Sequence, residues 1–483
     1  MKDLAEYTAA PAAGERRFHV LGYGLSLEYN VIMKELLQDA AERAARYLEE
    51  LPIRSVAPGE EATRRLREFD EPLPDCPSTP QSVLDMLDTI GSPGTMAMAG
   101  PRFYGFVVGG SLPAALACNW LAAAWDQNSA LYNVTPATAA LEQIALRWLL
   151  ELFGLSSGCA GAFVTGATMA NFCSLAAARH AVLARAGWDV ESDGLFGAPP
   201  ITVVVGDEAH PSLIKSLGLL GLGRNRVVRV PVDNQGRIRA DEMPLLSGPT
   251  IVCLQAGNVN TGSFDPLDVI CPRAHEARAW VHVDGAFGLW AATVPDLRHL
   301  TRGVEQADSW ATDAHKWLNV PYDSGLALVR DADALRAAMS VTASYLPTAT
   351  EHRNPSDYTP EFSRRARGVE VWAALRSLGR WGVADLIERT CRHARTFARE
   401  LQSAGYQVLN DVVLNQVLVS FADAERTRQV IRRIQADGTI WCGETVWQGH
   451  IAMRISVSSW ATTELDVDRS LEAILRAAGD SGS

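Results

Sequence analysis

The run Trp310-Ala-Thr-Asp313-Ala-His315-Lys316-Trp317 closes a short apolar stretch with a carboxylate, an imidazole and a primary amine. An amine placed where a strand gives way to a turn can act as a nucleophile toward a carbonyl, because its surroundings decide how readily it sheds its proton. About one strand–helix–strand unit upstream, Trp280-Val-His282-Val-Asp284-Gly-Ala286 ends a second apolar run in Asp284. Alone, such an aspartate is usually a cap or turn residue. Paired with Lys316 from a neighbouring strand end, it can enter the same crevice. Two more segments have this placement. Ala209-His210-Pro-Ser follows the apolar run Ile201–Val205, where a lone histidine is usually a hydrogen-bonded structural residue. Thr165-Gly166-Ala167-Thr168 leads from a strand into a helix, and such a turn either packs closely or offers free N–H groups and a hydroxyl to a phosphate.

These segments need a framework that gathers strand ends. From about residue 140, candidate strands fall at Gly161–Thr165, Ile201–Val205, Arg226–Val230, Thr250–Gln255, Trp280–Asp284, Ser309–Thr312 and Gly325–Val329, with helical segments at 168–184, 210–222 and 267–278. Parallel neighbours need crossover connections, so the alternation predicts an α/β fold with a mostly parallel seven-stranded sheet covered on both faces. Ligands gather at the carboxyl ends of such strands. Residues 27–50 and 80–91 carry Leu, Ile and Met at helical spacing around a Pro- and charge-rich link from Pro52 to Pro80, which reads as an arm that needs another surface for its apolar side. A long helix near 366–403 leads to strands at Tyr406–Leu409, Gln416–Phe421 and Ile451–Val457, with a helix at 424–436. The expected domains are an N-terminal helical arm (1–95), a large α/β domain (96–365) and a small C-terminal α+β domain (366–483).

The 483 residues are 47% apolar and 21% charged, enough for a large core. A net charge of -12 opposes binding to nucleic acid or to an anionic membrane, where Lys and Arg must neutralise phosphate, so a small-molecule ligand is expected. Eight scattered cysteines, with no Cys-x-x-Cys pair and no Cys/His cluster, argue against a metal site and for a reducing compartment. Met1–Val20 lacks the apolar core of a secretory signal, so a cytoplasmic location is expected. Phe103–Trp125 has no charged residue, but Gly105, Gly109, Gly110, Pro113 and Asn119 interrupt it. It reads as a glycine-rich turn followed by a buried helix from about Leu112, a surface that could also serve a subunit interface.

His282-Val-Asp284-Gly-Ala286 followed by Asp313-Ala-His315-Lys316-Trp317 resembles the signature of the group II amino-acid decarboxylases, pyridoxal 5′-phosphate (PLP) enzymes of fold type I, and the resemblance runs through roughly residues 30 to 460. It implies that Lys316 carries PLP as a Schiff base and that Asp284 keeps the pyridine nitrogen protonated, so that the ring accepts electrons. It also implies that Ala286 and His210 lie against opposite ring faces, that Gly166, Ala167 and Thr168 hold the phosphate, and that His315 is a further cofactor contact. The family loop reads Ser-Gly-Gly-Thr-Glu-Ala-Asn, and here Met169 replaces its acidic residue. Gly257-Asn258-Val259-Asn260 stands where the family often has Gly-Thr-Thr, and Asp313-Ala314 where it often has Asn-Pro, which brings an aspartate close to phosphate.

Phe103 and Phe106 match a family stretch lining the substrate side-chain pocket, which favours an aromatic or apolar amino acid, whereas Arg102 beside them favours an acidic one. Tyr358, in an Asp-Tyr context, matches a loop tyrosine that protonates Cα. Arg454 either meets a substrate carboxylate or is structural, and Arg364-Arg365-Ala-Arg367 reads as a salt-bridge cluster or a solvated face. The implied reaction is decarboxylation of an L-amino acid to an amine, with Tyr358 or His315 returning the proton. The same residues would serve decarboxylation coupled to oxidative deamination, giving an aldehyde, or transamination; a catalytically silent PLP-binding relative is the remaining reading. The resemblance further implies a homodimer.

Overall fold

In a computed structural model of the chain, residues 27–341 and 352–479 are described; the reading of Met1–Val20 falls outside them. They divide into two compact units, one of residues 27–50 with 60–94 and one of residues 51–59 with 95–479. In the first, Arg43 of the helix Leu27–Glu50 pairs with Asp85 (2.5 Å) and Asp88 (3.2 Å) of the segment that opens with the helix Pro80–Met86.

The second unit is built on a seven-stranded sheet: β1 (Ala160–Val164), β2 (Thr202–Gly206), β3 (Val228–Val230), β4 (Thr250–Gln255), β5 (Trp280–Asp284), β6 (Ser309–Asp313) and β7 (Gly325–Val329), in the order β1-β7-β6-β5-β4-β2-β3. The pairs β2–β3, β2–β4, β4–β5 and β5–β6 are parallel, as the helical crossovers between them require. Strand β7 runs antiparallel to both β6 and β1. An antiparallel partner needs no crossover, so the connection from β6 to β7 is a loop without a helix, and this loop carries Lys316. Strands β1, β4, β5, β6 and β7 are buried along their whole length, which is why their sequences are continuous apolar runs rather than alternating ones.

One face of the sheet is covered by the helix Ala167–Ala184. Its buried Ala170, Cys173, Ala176, Ala177 and Ala178 are small enough to let it lie close to β5, β6 and β7. A Cβ on Gly325 would come within 2.4 Å of Gly166 Cα, so the first turn of that helix is pressed against the start of β7. On the other face Leu149, Phe153, Trp290, Trp310 and Trp317 pack with Val371, Leu375 and Ile387; burying side chains of this size contributes about 1.5–3 kcal/mol each. The long helix Gly368–Ser403 is broken at Gly379 (φ 61°, ψ -178°) into two.

The C-terminal strands β8 (Gln407–Val408), β9 (Gln416–Ser420), β10 (Gly443–Trp447) and β11 (His450–Ser456) form an antiparallel sheet in the order β10-β11-β9-β8. Strand β10, which the sequence reading omits, joins β11 through Gln448 and Gly449, both at positive φ as a tight hairpin turn requires. The uncharged helix Pro113–Trp125 departs from expectation: only Ala115 is buried, while Trp120, Leu121 and Trp125 are 45%, 53% and 44% exposed. Among the described residues, no helix is long and apolar enough to cross a membrane, and the eight cysteines are free.

Candidate active site

Lys316 is the one partly accessible residue in the otherwise buried run Ala311–Val320. Its loop is fixed by its neighbours. A Cβ on Gly109 would fall 1.9 Å from the Lys316 carbonyl oxygen, so only glycine lets that backbone lie alongside. Trp317 Nε1–H donates to Thr390 Oγ1 (2.9 Å). Asn319, at φ 56°, accepts the Gly110 and Trp460 N–H groups (2.6 and 2.9 Å) and donates to the carbonyls of Trp317 and Ser458 (3.0 Å each). One amide side chain thus ties the lysine loop to segments far before and far after it.

The ammonium of Lys316 pairs with Asp313 Oδ2 at 2.9 Å. Asp313 Oδ1 accepts the N–H of Ala167 (2.6 Å) and lies 3.7 Å from His315 Nε2. His315 Nδ1 accepts the Ser324 N–H (3.2 Å), which leaves the proton of a neutral ring on Nε2, and burial pushes its basicity down. Its ring stacks on Tyr322 at 4.3 Å between centroids.

Asp284, at the end of β5, is held by two donors: Asn171 Nδ2–H to Oδ2 (3.1 Å) and the Ala286 N–H to Oδ1 (3.2 Å). Behind Asn171 stands a relay whose direction chemistry dictates. The indole of Trp280 can only donate, so Ser309 Oγ accepts from it (2.8 Å) and gives its own proton to His282 Nδ1 (2.9 Å). His282 Nε2 then carries the hydrogen, donates to Asn171 Oδ1 (2.8 Å), and turns the amide donor toward Asp284. A neutral His282 is required, and burial pushes its pKa down to about 3. The sequence reading missed Asn171 and Asn319. The legible signal for Asn171 was a polar side chain on the sheet-facing side of an alanine-rich helix.

His210 caps the helix Pro211–Leu219 by accepting the Ser212 N–H at Nδ1 (3.2 Å), so it has the structural role a lone histidine usually has. It also faces the site: burial lowers its pKa, and the charges of Asp284, Lys316, Arg454 and Asp313 all act on it. Ala286, like Lys316, is partly accessible between buried neighbours. The start of the helix Ala167–Ala184 completes the crevice. Gly166 has no side chain to cap it, and a Cβ there would sit 3.2 Å from His315 Cε1 and 3.4 Å from Asp313 Oδ1. An amine, a buried oriented carboxylate, an imidazole and a glycine-lined helix start are a donor set that suits a phosphorylated aldehyde with a basic ring nitrogen.

The remaining expected residues have partners of their own. Phe103 is buried with its ring stacked on Trp441 (5.1 Å), while Phe106 is 59% exposed and stacks on the same indole (5.9 Å). Arg102, read as a possible contact for an acidic substrate, is buried and spent on Asp466 (3.3 Å) and the carbonyls of Thr439 and Pro52. Arg454 is half-buried, its pKa lowered by desolvation, and donates to Asn260 Oδ1 (3.1 Å). The arginine run forms ion pairs: Arg364 with Glu142 (2.7 Å), Arg365 with Glu370 and Arg367 with Asp323 (2.8 Å). Tyr358 lies under the guanidinium of Arg353 (4.3 Å) and packs on the apolar side beneath β1 and the helix Ala332–Met339. No hydrogen bond or ring contact among the described residues joins it to Lys316 or His315.

Comparison with known proteins agrees with this geometry. Residues 62–422 match the family model described as the pyridoxal-dependent decarboxylase conserved domain. The chain is 27% identical over 422 residues to tryptophan decarboxylase 1 of Oryza sativa subsp. japonica, covering 79% of this chain and 81% of that one. It is 26% identical over 477 residues to phenylacetaldehyde synthase of Arabidopsis thaliana, covering 92% and 94%. The crystal structure of Oryza sativa TDC with PLP and tryptamine superposes with a TM-score of 0.86 at 23% identity, over 93% of this chain and 98% of that one.

Proposed function

Because the chain belongs to the pyridoxal-dependent decarboxylase family, a family of amino-acid lyases, we propose that it removes the α-carboxylate of an L-amino acid as carbon dioxide and releases the amine. The observation that carries this reading is that Asp284 ends β5 and Lys316 follows the end of the paired strand β6, that the charges of both act on His210, and that Asp313 ties Lys316 to a helix start. PLP, when bound, supplies a ring that takes up the electron pair left at Cα as carbon dioxide departs. Lys316 is the amine that holds the cofactor aldehyde. Asp284, turned by Asn171 and the Ala286 N–H, holds a proton at the ring nitrogen. His210 and Ala286 would flank the ring, Gly166, Ala167 and Thr168 would hold the phosphate, and His315 would be a further cofactor contact.

For the proton returned to Cα, His315 is the candidate within one chain: it adjoins Lys316 and would donate from its protonated ring, which the nearby Asp313 carboxylate favours. Tyr358 serves only after leaving Arg353, or from a second copy of the chain. With Arg102 spent inside the protein, an acidic side chain loses its support, and an aromatic or apolar amino acid is the favoured substrate class. The uncharged helix bearing exposed Trp120, Leu121 and Trp125 supports a homodimer, for which sedimentation should give twice the 52.3 kDa chain mass. A screen of PLP-loaded protein against the common amino acids, following carbon dioxide, amine and peroxide together, tests the reaction. Amine equal to carbon dioxide supports it. Aldehyde with peroxide moves the chain to the reaction that the name of the Arabidopsis relative indicates for that protein, and no release of carbon dioxide from any amino acid refutes it.

A further inference from the structure

The Asp313 carboxylate occupies two places that the cofactor needs. One oxygen takes the N–H of Ala167, the first residue of the helix (2.6 Å), and the other holds Lys316 Nζ (2.9 Å). The side chain is 2% exposed, so water screens neither interaction. Its aim is built in by the backbone: the Asp313 N–H donates to the Ala286 carbonyl (2.9 Å), and the Asp313 carbonyl accepts Trp290 Nε1–H (3.1 Å).

We propose that Asp313 is a resident anion in the phosphate seat, and that it sets how tightly this chain grips the phosphate half of PLP. The inference rests on PLP binding at Lys316. A phosphate can take the Ala167 N–H only if the carboxylate releases it, and two anions then share one helix start. Before the cofactor arrives, the same carboxylate satisfies the half-buried Lys316 ammonium and the helix start that has no side-chain cap. Once Lys316 is joined to the aldehyde, that partnership weakens just as the phosphate enters. An asparagine at this position would keep an acceptor of the same shape, shed the negative charge and offer an N–H to the phosphate.

The experiment titrates cofactor-free protein with PLP and with pyridoxal, which has the aldehyde but no phosphate, reading the visible absorbance of the lysine-bound aldehyde. Removing the partner of Lys316 acts on both aldehydes alike, so the ratio of the pyridoxal to the PLP dissociation constant isolates the phosphate. Asp313→Asn is expected to raise that ratio about ten-fold or more, given the repulsion between close, poorly screened like charges, and Asp313→Ser should move it in the same direction. A ratio that is unchanged or lower in both variants overturns the proposal. The wild-type protein gives a check that needs no variant: inorganic phosphate should leave the pyridoxal titration where it is, and a marked tightening would reveal an anion seat that Asp313 does not oppose. If neither aldehyde gives the absorbance in wild-type protein, the assignment of Lys316 itself is wrong, and this inference falls with it.

Discussion

Trp280 and Asp284 stand at the two ends of strand β5 and are joined through side chains alone, by the relay Trp280, Ser309, His282, Asn171, Asp284. The indole can only donate and the carboxylate can only accept, so with a neutral His282 between them the relay runs one way and ends in the Asn171 N–H given to Asp284 Oδ2.

Removing the last link should uncouple this orientation. Asn171→Ala is expected to lower kcat about ten-fold or more with the cofactor still bound, because a hydrogen bond to a charged group contributes about 1.5–3 kcal/mol. Steady-state kinetics at full PLP absorbance measures it, and wild-type kcat would show that the Ala286 N–H alone suffices to place Asp284.

The pH response of the fold follows from His282. Its folded pKa of about 3 lies below the unfolded value of about 6.5, so between these limits the unfolded chain binds more protons than the folded one. Stability is therefore untouched above about pH 6.5 and falls as the pH drops toward 3, by up to ~1.4 kcal/mol per unit. His282→Gln removes this titration and keeps a donor toward Asn171. Thermal unfolding at about pH 7.5 and about pH 5 should show a smaller loss of Tm in the variant than in the wild type; equal losses would mean that His282 is not the group being titrated.

Lys316→Ala should abolish turnover and the borohydride-sensitive visible absorbance together. Asp284→Ala should retain bound PLP yet lose on the order of 4 kcal/mol or more of transition-state stabilisation, several orders of magnitude in kcat. Near-normal turnover in a PLP-loaded Asp284→Ala protein would remove this carboxylate from the ring nitrogen.

Two candidates for the final proton are separable by product. His315→Gln is expected to lower amine yield relative to carbon dioxide, while Tyr358→Phe, which keeps the ring under Arg353, should leave that ratio near wild type if Tyr358 stays where it lies. Aldehyde and peroxide rising only in Tyr358→Phe would reverse the assignment and require Tyr358 to reach the site from another conformation or another subunit.

Much of the framework was legible because the strands of a covered parallel sheet are uninterrupted apolar runs, and those of β5 and β6 end in aspartate next to the residues of interest. The antiparallel β7 was hidden: periodicity tells a strand from a helix but gives no direction, and only the missing helix between Asp313 and Gly325 hinted at it. Strand β10 escaped because its burial alternates and it offers no continuous apolar run, although Gln448-Gly449 is a hairpin signal. Arg102 misled for a different reason. Its partner Asp466 is 364 positions away, and a lone charge in an apolar stretch looks as though it awaits a ligand until the fold supplies the counter-ion. The helix Pro113–Trp125 misled in the opposite sense, since a wholly uncharged helix need not be covered by its own chain.

The four hydrogen bonds of the Asn319 side chain also have a meaning in time. Two of them reach Ser458 and Trp460, which leave the ribosome long after Lys316 does. A nascent chain can assemble every strand of the large sheet and still lack the frame that holds its lysine loop. A product terminated before Ser458 would keep the signature motif intact and still lack two of the bonds that fix its lysine loop.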